Sequence, residues 1–148
     1  MSDHAPSKEE RRRRTQDWNA KIIADFRANA GRVGGSFAGA PVLLLHTTGA
    51  KTGAERVNPM MYLPEGDRVF VFASKAGAHS HPDWYHNLVA HPRVTVELGA
   101  ETFEATARPI TGAERDRIYA VQAERYPGFA EYQGKTQRVI PVVELVRA

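Results

Sequence analysis

Lys51, Thr52 and Arg56 belong to a short glycine-containing segment that could bind an anion. Hydroxyl groups, backbone amides and two cations can converge there on a phosphate or a carboxylate. The segment is not a nucleotide P-loop, because that motif requires glycine at the positions that Leu45 and Ala50 occupy. An ordinary polar hairpin turn is the alternative interpretation.

A small-residue loop, 74–77, and a short helix that begins near Pro82 form a second candidate site. Backbone N–H groups in such turns and at helix N-termini carry partial positive charge, so they can hold carbonyl or phosphate oxygens. The helix would present Trp84, Tyr85 and Asn87. A plain connection is the alternative, because loops rich in small residues and proline are common.

Aromatic residues form a third candidate. Tyr126, Phe129 and Tyr132 recur at helical spacing, which suits a lid over a flat ligand, although the rings could also simply plug the end of a barrel. Met60 and Tyr62 alternate along a predicted strand and should share one of its faces, while the residue between them takes the other.

Other kinds of site are disfavoured. The chain has no cysteine, which excludes disulfides and thiolate metal ligands. His79, His81 and His86 do not repeat at i, i+4 on one helix face, so we predict no metal site. There is no Gly-x-Ser-x-Gly motif, and Ser74 beside Lys75 is better explained as a pair of pocket residues than as nucleophile and base.

Composition is that of an ordinary globular chain, most simply one domain, with 148 residues, of which 42% are hydrophobic and 25% charged. The first six residues lack the apolar core of a signal peptide, and no apolar run reaches the roughly 18 to 20 residues that cross a bilayer, so a cytoplasmic location is expected. The net charge is +3, with a block of basic residues at 11–14 that Glu9 and Glu10 balance locally. We therefore predict no nucleic-acid partner. The helix that carries this block could contact a membrane peripherally, but such helices more often dock on their own domain or on a second subunit, here of a homodimer.

Capping and periodicity predict the elements that would position these residues. A capping box at Ser7 and apolar residues at every fourth position predict an amphipathic helix over 8–30, ended by glycines at positions 31, 34 and 35. Residues 1–40 would thus form this helix and a glycine-rich connection, and 41–148 a ligand-binding domain. Strands are predicted at 42–47, 56–63, 68–73, 93–98, 101–108 and 139–146, and helices at 82–90 and after a capping box at Thr111.

These elements predict a mainly β (α+β) fold. About six antiparallel strands with short helices between them favour a small closed or half-closed β-barrel. Pro141 interrupts the last predicted strand and indicates an edge or a bulge there.

Three segments resemble the deazaflavin-dependent nitroreductase family: Leu43-Leu44-Leu45-His46-Thr47-Thr48-Gly49-Ala50-Lys51-Thr52-Gly53, then Ala73-Ser74-Lys75-Ala76-Gly77 with His81-Pro82-x-Trp84-Tyr85-x-Asn87-Leu88 and His91-Pro92, and finally Tyr126-Pro-x-Phe129-x-x-Tyr132. The resemblance spans about 41–147. It implies a split β-barrel that binds the deazaflavin coenzyme F-420 and reduces quinones, nitroaromatic compounds or other activated unsaturated acceptors.

Residue roles implied by the resemblance follow position by position. The coenzyme would be bound by Thr48, Lys51, Thr52, Arg56, Asn58, Met60, Ser74, Lys75, Ala76, Gly77, Trp84, Tyr85 and Asn87. The acceptor pocket would be lined by Tyr62, Ser74, Tyr126 and Tyr132. This sequence has Ala50 where arginine is frequent in the family, and its aromatic segment carries Phe129 at a position that varies. A deazaflavin or flavin mononucleotide carrier without turnover is the alternative function.

Overall fold

The structure is a computed structural model that describes residues 7–33 and 39–148, so the predictions for the first six residues and for the glycines at 34 and 35 lie outside the described residues. The described residues form six strands: β1 (Val42–Thr48), β2 (Glu55–Glu65), β3 (Arg68–Phe72), β4 (Arg93–Leu98), β5 (Glu101–Ile110) and β6 (Val142–Arg147). Four α-helices accompany them: α1 (Lys8–Ala28), α2 (Asp83–Ala90), α3 (Gly112–Arg125) and α4 (Gly128–Gly134).

The strands form a closed antiparallel barrel in the order β1-β2-β3-β6-β5-β4, which confirms the predicted fold class. β1 closes the barrel because it pairs with both β2 and β4. The prediction of an edge strand at the C-terminus is wrong, since β6 lies between β3 and β5. Pro141 does not interrupt β6, because it precedes the strand and its carbonyl accepts a hydrogen bond from Ala73 N–H at 3.0 Å.

Alternate residues of all six strands fill the interior of the barrel. Met60 and Tyr62 face inward together whereas Met61 packs outside, which confirms the predicted alternation along β2. The inward cluster is completed by Leu43, Leu45, Val71, Ala73, Val94, Val96, Ala105, Ala107, Val143 and Leu145. Because these side chains are apolar and fully packed, the barrel interior is a core and ligands must bind at its ends or on its outer faces.

Helices cover parts of the outer surface. In α1, Ile22 and Phe26 are buried, and Phe26 packs against Val42 and Leu44. The other two residues of the predicted apolar stripe are not buried by α1. Trp18 is 44% exposed, and the helix ends before Ala30, which has a left-handed φ of 53°. No helix in the described ranges is long and apolar enough to span a membrane.

The two predicted capping boxes differ in outcome. The Ser7 hydroxyl accepts a hydrogen bond from Glu10 N–H at 3.1 Å, as expected. Thr111 is the N-cap residue of α3 but makes no capping side-chain bond, because Gly112 follows it with a φ of +67° that takes the chain out of the usual capping geometry.

Strand direction divides the connections between the two ends of the barrel. The upper end, defined here as the end at which β1, β3 and β5 finish, carries the loop 49–54 and the two long connections 73–92 and 111–141. The lower end carries the short turns 66–67 and 99–100. Antiparallel pairing therefore gathers at one end most of the segments that the sequence singled out.

Candidate functional site

The loop between β1 and β2 is a compact turn that leaves its cations in solvent. Gly49 N–H donates to Ala54 O at 2.7 Å, and Gly53 N–H donates to Gly49 O at 2.9 Å, so the backbone closes on itself. Lys51 and Arg56 are exposed, and within 7–33 and 39–148 neither makes an ion pair. The loop and the start of β2 thus present two positive charges to solvent at the upper end.

Asn87 fixes this loop to α2. Its buried side-chain amide accepts from Ala50 N–H at 3.0 Å and donates to Thr47 Oγ1 at 3.2 Å. Trp84, on the same helix, is 9% exposed and packs into the inward cluster. These two residues therefore position the loop and close the barrel, while Tyr85, which is half-buried, is the member of the predicted trio that reaches the surface.

The predicted small-residue loop forms a single 3₁₀ turn, Lys75–Gly77, with three successive residues of positive φ. Lys75, Ala76 and Gly77 have φ angles of 47°, 54° and 83°. Two of them carry side chains, and left-handed backbone is unfavourable for such residues, so neighbouring structure must hold the turn in place. Lys75 Nζ donates to Ser80 Oγ at 3.2 Å, which keeps the lysine beside its own loop.

Gly77 packs against the backbone of α4. A Cβ atom at this position would lie 2.8 Å from Tyr132 O and 3.0 Å from Tyr132 Cα. The turn and the predicted acceptor-side tyrosine are therefore in direct contact, although they are far apart in the sequence. Tyr132 in turn packs edge-on against Phe129, with ring centroids 5.3 Å apart.

The aromatic segment lies outside the barrel. Phe129 is buried between Phe72 and Tyr119, at centroid distances of 5.6 and 6.4 Å, so it is a packing residue. The Tyr119 hydroxyl donates to Phe129 O at 2.5 Å, and burial raises the pKa of Tyr119 to about 12. Tyr126 and Tyr132 are half-buried and remain accessible at the surface of this cluster.

Tyr62 lies apart from the other predicted acceptor residues. It is on the inward face of β2, and it lines an open cleft of ≈480 Å³ at the lower end with Val69, Leu98 and Arg147. Burial raises the pKa of its hydroxyl. Because Tyr126 and Tyr132 pack against the outer face of the sheet, the structure does not bring Tyr62 together with them.

Other predicted residues take mixed positions. Arg56, Asn58 and Met60 share the inward side of β2, from the exposed upper end down to buried Met60. Thr48 is half-buried at the end of β1 and Thr52 is exposed in the loop, where its Oγ1 accepts from Ala54 N–H at 3.2 Å.

The histidines form a small stacked cluster. His81 lies 4.8 Å from the ring centroid of Tyr85 and 5.6 Å from that of His86. Burial, and then the charges of Arg138 and His86, lower the pKa of His81. Among the described residues, no group of three or more histidine, aspartate or glutamate side chains is arranged to hold a metal ion.

Arg138 is a site residue that the sequence analysis missed. Its guanidinium donates to Ala73 O, Ser74 O and Ala78 O at 3.1, 2.8 and 2.8 Å. It also lines an open cleft of ≈570 Å³ beside the turn, together with His79, Gly134, Lys135, Thr136 and Gln137. No local pattern could have found this role, because its partners are 57 to 65 positions away in the sequence.

The upper end therefore combines an exposed cationic loop, a strained turn of small residues and accessible tyrosines. Such a surface fits a flat ligand with an anionic tail: three of the four residues of the turn 74–77 are small and Lys75 Nζ is held by Ser80, while Lys51 and Arg56 offer charge.

Comparison with known proteins gives a consistent picture. Residues 18–146 match the family model described as F420H(2)-dependent quinone reductase. An F420H(2)-dependent quinone reductase of Mycobacterium tuberculosis is 41% identical over 128 residues, which cover 84% of this chain and 86% of the relative. A second protein of the same organism, named a putative F420H(2)-dependent quinone reductase, is 32% identical over 105 residues, or 71% of this chain and 88% of that protein.

Solved structures agree with the sequence matches. A structure described as an F420-H2 dependent reductase, FDR-A, is 42% identical, superimposes with a TM-score of 0.65 and covers 71% of this chain and 93% of its own. Another, described as a domain-swapped dimer, is 35% identical with a TM-score of 0.67 and covers 94% of this chain and 99% of its own. The resemblance stated from the sequence motifs is confirmed by these findings.

Proposed function

The chain belongs to the F420H(2)-dependent quinone reductase family, and from this premise we propose that it transfers a hydride from reduced coenzyme F-420 to a quinone. When bound, the reduced deazaflavin supplies the hydride. The protein then has to bind the coenzyme, hold the acceptor about 3 to 3.5 Å from the donor carbon and provide one proton.

In this proposal Lys51 and Arg56 bind the anionic part of the coenzyme. Both side chains are exposed at the upper end and, within the described ranges, neither is engaged in an ion pair. A multiply charged anion gains from two such cations, Lys51 on the loop and Arg56 at the start of β2, and Asn87 keeps the loop fixed to α2. Thr48 at the end of β1 and Thr52 on the loop add hydroxyl groups.

The contact between Gly77 and Tyr132 carries the proposal. A ring lying on the peptide faces of 74–77 would be next to α4, whose Tyr132 Cα is only 3.0 Å from a Cβ built on Gly77. We propose that Ser74 Oγ or the Tyr132 hydroxyl, which lies beside Gly128 at the start of α4, hands a proton to the acceptor oxygen. Tyr126 packs in the same cluster as Tyr132. Hydride and proton together convert a quinone to its hydroquinone.

The acceptor range is proposed more widely than quinones. Reduction of nitroaromatic and other activated unsaturated compounds has the same two requirements. The electrophilic atom of the acceptor must lie near the donor carbon, and the protein must provide a proton source. Tyr62 has no part in the proposed acceptor pocket, because its cleft lies at the lower end of the barrel.

The experiment mixes purified protein with reduced coenzyme F-420 and menadione and follows oxidation of the coenzyme. Rapid oxidation that depends on the protein is expected, and no oxidation across a panel of quinones and nitro compounds would overturn the proposal. Titration with oxidised coenzyme and with flavin mononucleotide distinguishes the alternatives, since tight flavin binding without deazaflavin binding would indicate a flavin carrier.

Lys51→Ala should raise the dissociation constant for the coenzyme about 5-fold, the effect of losing roughly one charge-assisted contact at an exposed site. Lys21→Ala removes the same charge from the exposed surface of α1 and is the matched control. Equal affinities of the two variants would contradict the role given to Lys51.

We further propose a homodimer, because one solved relative is described as a domain-swapped dimer and because residues 7–18 of this chain are exposed along α1. Light scattering at several protein concentrations measures the molar mass directly. The cytoplasmic location, the peripheral membrane contact of α1 and the division into 1–40 and 41–148 stay predictions.

A further inference from the structure

The guanidinium group of Arg138 contacts four residues of the loop 73–81. Besides the three carbonyl oxygens of Ala73, Ser74 and Ala78, its Nη1 contacts His81 Nδ1 at 3.0 Å. The side chain is half-buried, and burial lowers its pKa. Among the described residues Arg138 makes no ion pair, and the partners of its guanidinium are three backbone oxygens and a ring nitrogen.

The three carbonyls flank the left-handed turn. Ala73 and Ser74 precede Lys75, and Ala78 follows Gly77, so the guanidinium joins the two ends of the strained segment. Within the described residues, the turn itself has two backbone hydrogen bonds, Gly77 N–H to Ser74 O at 2.9 Å and Ala78 N–H to Lys75 O at 3.1 Å. A conformation of this kind persists only where surrounding contacts hold it.

Arg138 is itself held from behind. Gln133 Nε2 donates to Arg138 O at 2.8 Å, while Gln133 Oε1 accepts from Ile140 N–H at 3.0 Å and from Arg115 Nη2 at 2.7 Å. Arg115 is buried and also donates to Ile140 O at 2.8 Å. A continuous network therefore runs from α3 through α4 to the turn, which makes the guanidinium a fixed support.

We propose that Arg138 is a positioning residue for the coenzyme, which holds the turn 74–77 in the conformation that receives the deazaflavin ring. This inference rests on the proposed function of that turn. Only a guanidinium can serve, because its planar fork reaches three carbonyls in different directions, whereas an ammonium group on a flexible stem cannot span them. Arg138 acts through the backbone of the turn and does not itself touch the coenzyme.

The test compares Arg138→Lys with Arg117→Lys. Arg117 lies on the exposed surface of α3 and donates to Glu65 of β2. Its variant therefore makes the same chemical change away from the site. Calorimetric titration with oxidised coenzyme gives both affinity and stoichiometry. Partial unfolding lowers the stoichiometry and leaves the affinity of the folded fraction unchanged, whereas a displaced turn lowers the affinity at full stoichiometry.

For Arg138→Lys we expect affinity reduced about 10-fold or more at full stoichiometry, and for Arg117→Lys no change. Unchanged affinity of Arg138→Lys would overturn the inference while the proposed function stood. Failure of the unsubstituted protein to bind the coenzyme would instead overturn the proposed function and, with it, this inference.

Hydrogen exchange on the unsubstituted protein gives a second measurement, independent of whether the variant folds. If Arg138 holds the turn ready, the amides of Gly77 and Ala78 should exchange slowly before any coenzyme is added. Rapid exchange of both amides in the free protein would show that the turn is not held, and the inference would fail.

Discussion

The substitution Gly77→Ala tests the close contact between the turn and α4. An added Cβ would lie 2.8 Å from Tyr132 O and 3.0 Å from Tyr132 Cα, whereas ordinary contacts of a Cβ begin near 3.4 Å. Both neighbouring atoms belong to the backbone, so relief requires that the turn or the helix move by several tenths of an ångström. The φ of +83° adds a second cost, because alanine disfavours left-handed backbone.

Gly66→Ala is the matched control, because Gly66 has a φ of +60° and a Cβ there would meet nothing within 4 Å. The control should cost only the backbone strain of about 1–2 kcal/mol, partly offset by the lower entropy of the unfolded alanine chain. Overpacking adds about 1–3 kcal/mol at Gly77, so this variant should lose roughly 2–4 kcal/mol in total.

Thermal unfolding and coenzyme titration measure the two consequences. At roughly 2–4 °C per kcal/mol for a chain of this size, Gly77→Ala should lower Tm by about 5–15 °C, and Gly66→Ala by a few degrees. If the turn changes conformation to relieve the contact and the rest of the fold is unchanged, Tm falls less and coenzyme affinity falls more. Equal Tm and equal affinity in the two variants would refute the close packing of the turn on Tyr132.

Three further predictions concern individual side chains. Tyr132→Phe should slow turnover of the acceptor and leave coenzyme affinity intact, because the ring still packs on Phe129. The control Tyr119→Phe loses a buried hydrogen bond and should lower Tm instead. Equal turnover of Tyr132→Phe and the unsubstituted enzyme would contradict the role of the Tyr132 hydroxyl. Gln122 is 0% exposed, and its Nε2 and Oε1 find no partner in the described part of the chain, so Gln122→Met should raise the free energy of unfolding by about 1–3 kcal/mol; a lower Tm would show that the amide is satisfied. Hydrogen bonds from Arg68 and Arg108 lower the pKa of Glu144 to about 2, so the stability it contributes is complete above its ordinary pKa and is lost as the pH falls from about 4.5 towards 2. Glu144→Gln should remove about 1–2 kcal/mol of this acid sensitivity after solvent screening, and identical acid unfolding curves would refute the assignment.

Local patterns in the sequence were sufficient for the elements and for the class of fold. The strand alternation of Met60 and Tyr62, the hairpin of β4 and β5 and the serine cap of α1 all depend on residues close together in the chain. The prediction of an edge strand from local patterns was wrong, because the barrel is closed. Pro141 suggested an edge, but a closed barrel has none, and the strand simply begins one residue later.

The sequence by itself determined the strands and their antiparallel hairpins, the cationic segment at Lys51 and the family to which the motifs belong, because each depends on spacing within short segments. Tertiary structure decided which of these residues meet. It placed Tyr132 on Gly77, separated Tyr62 to the lower end and brought Arg138 under the turn. These contacts join residues dozens of positions apart, and their geometry depends on strand direction and helix packing, which no local spacing encodes.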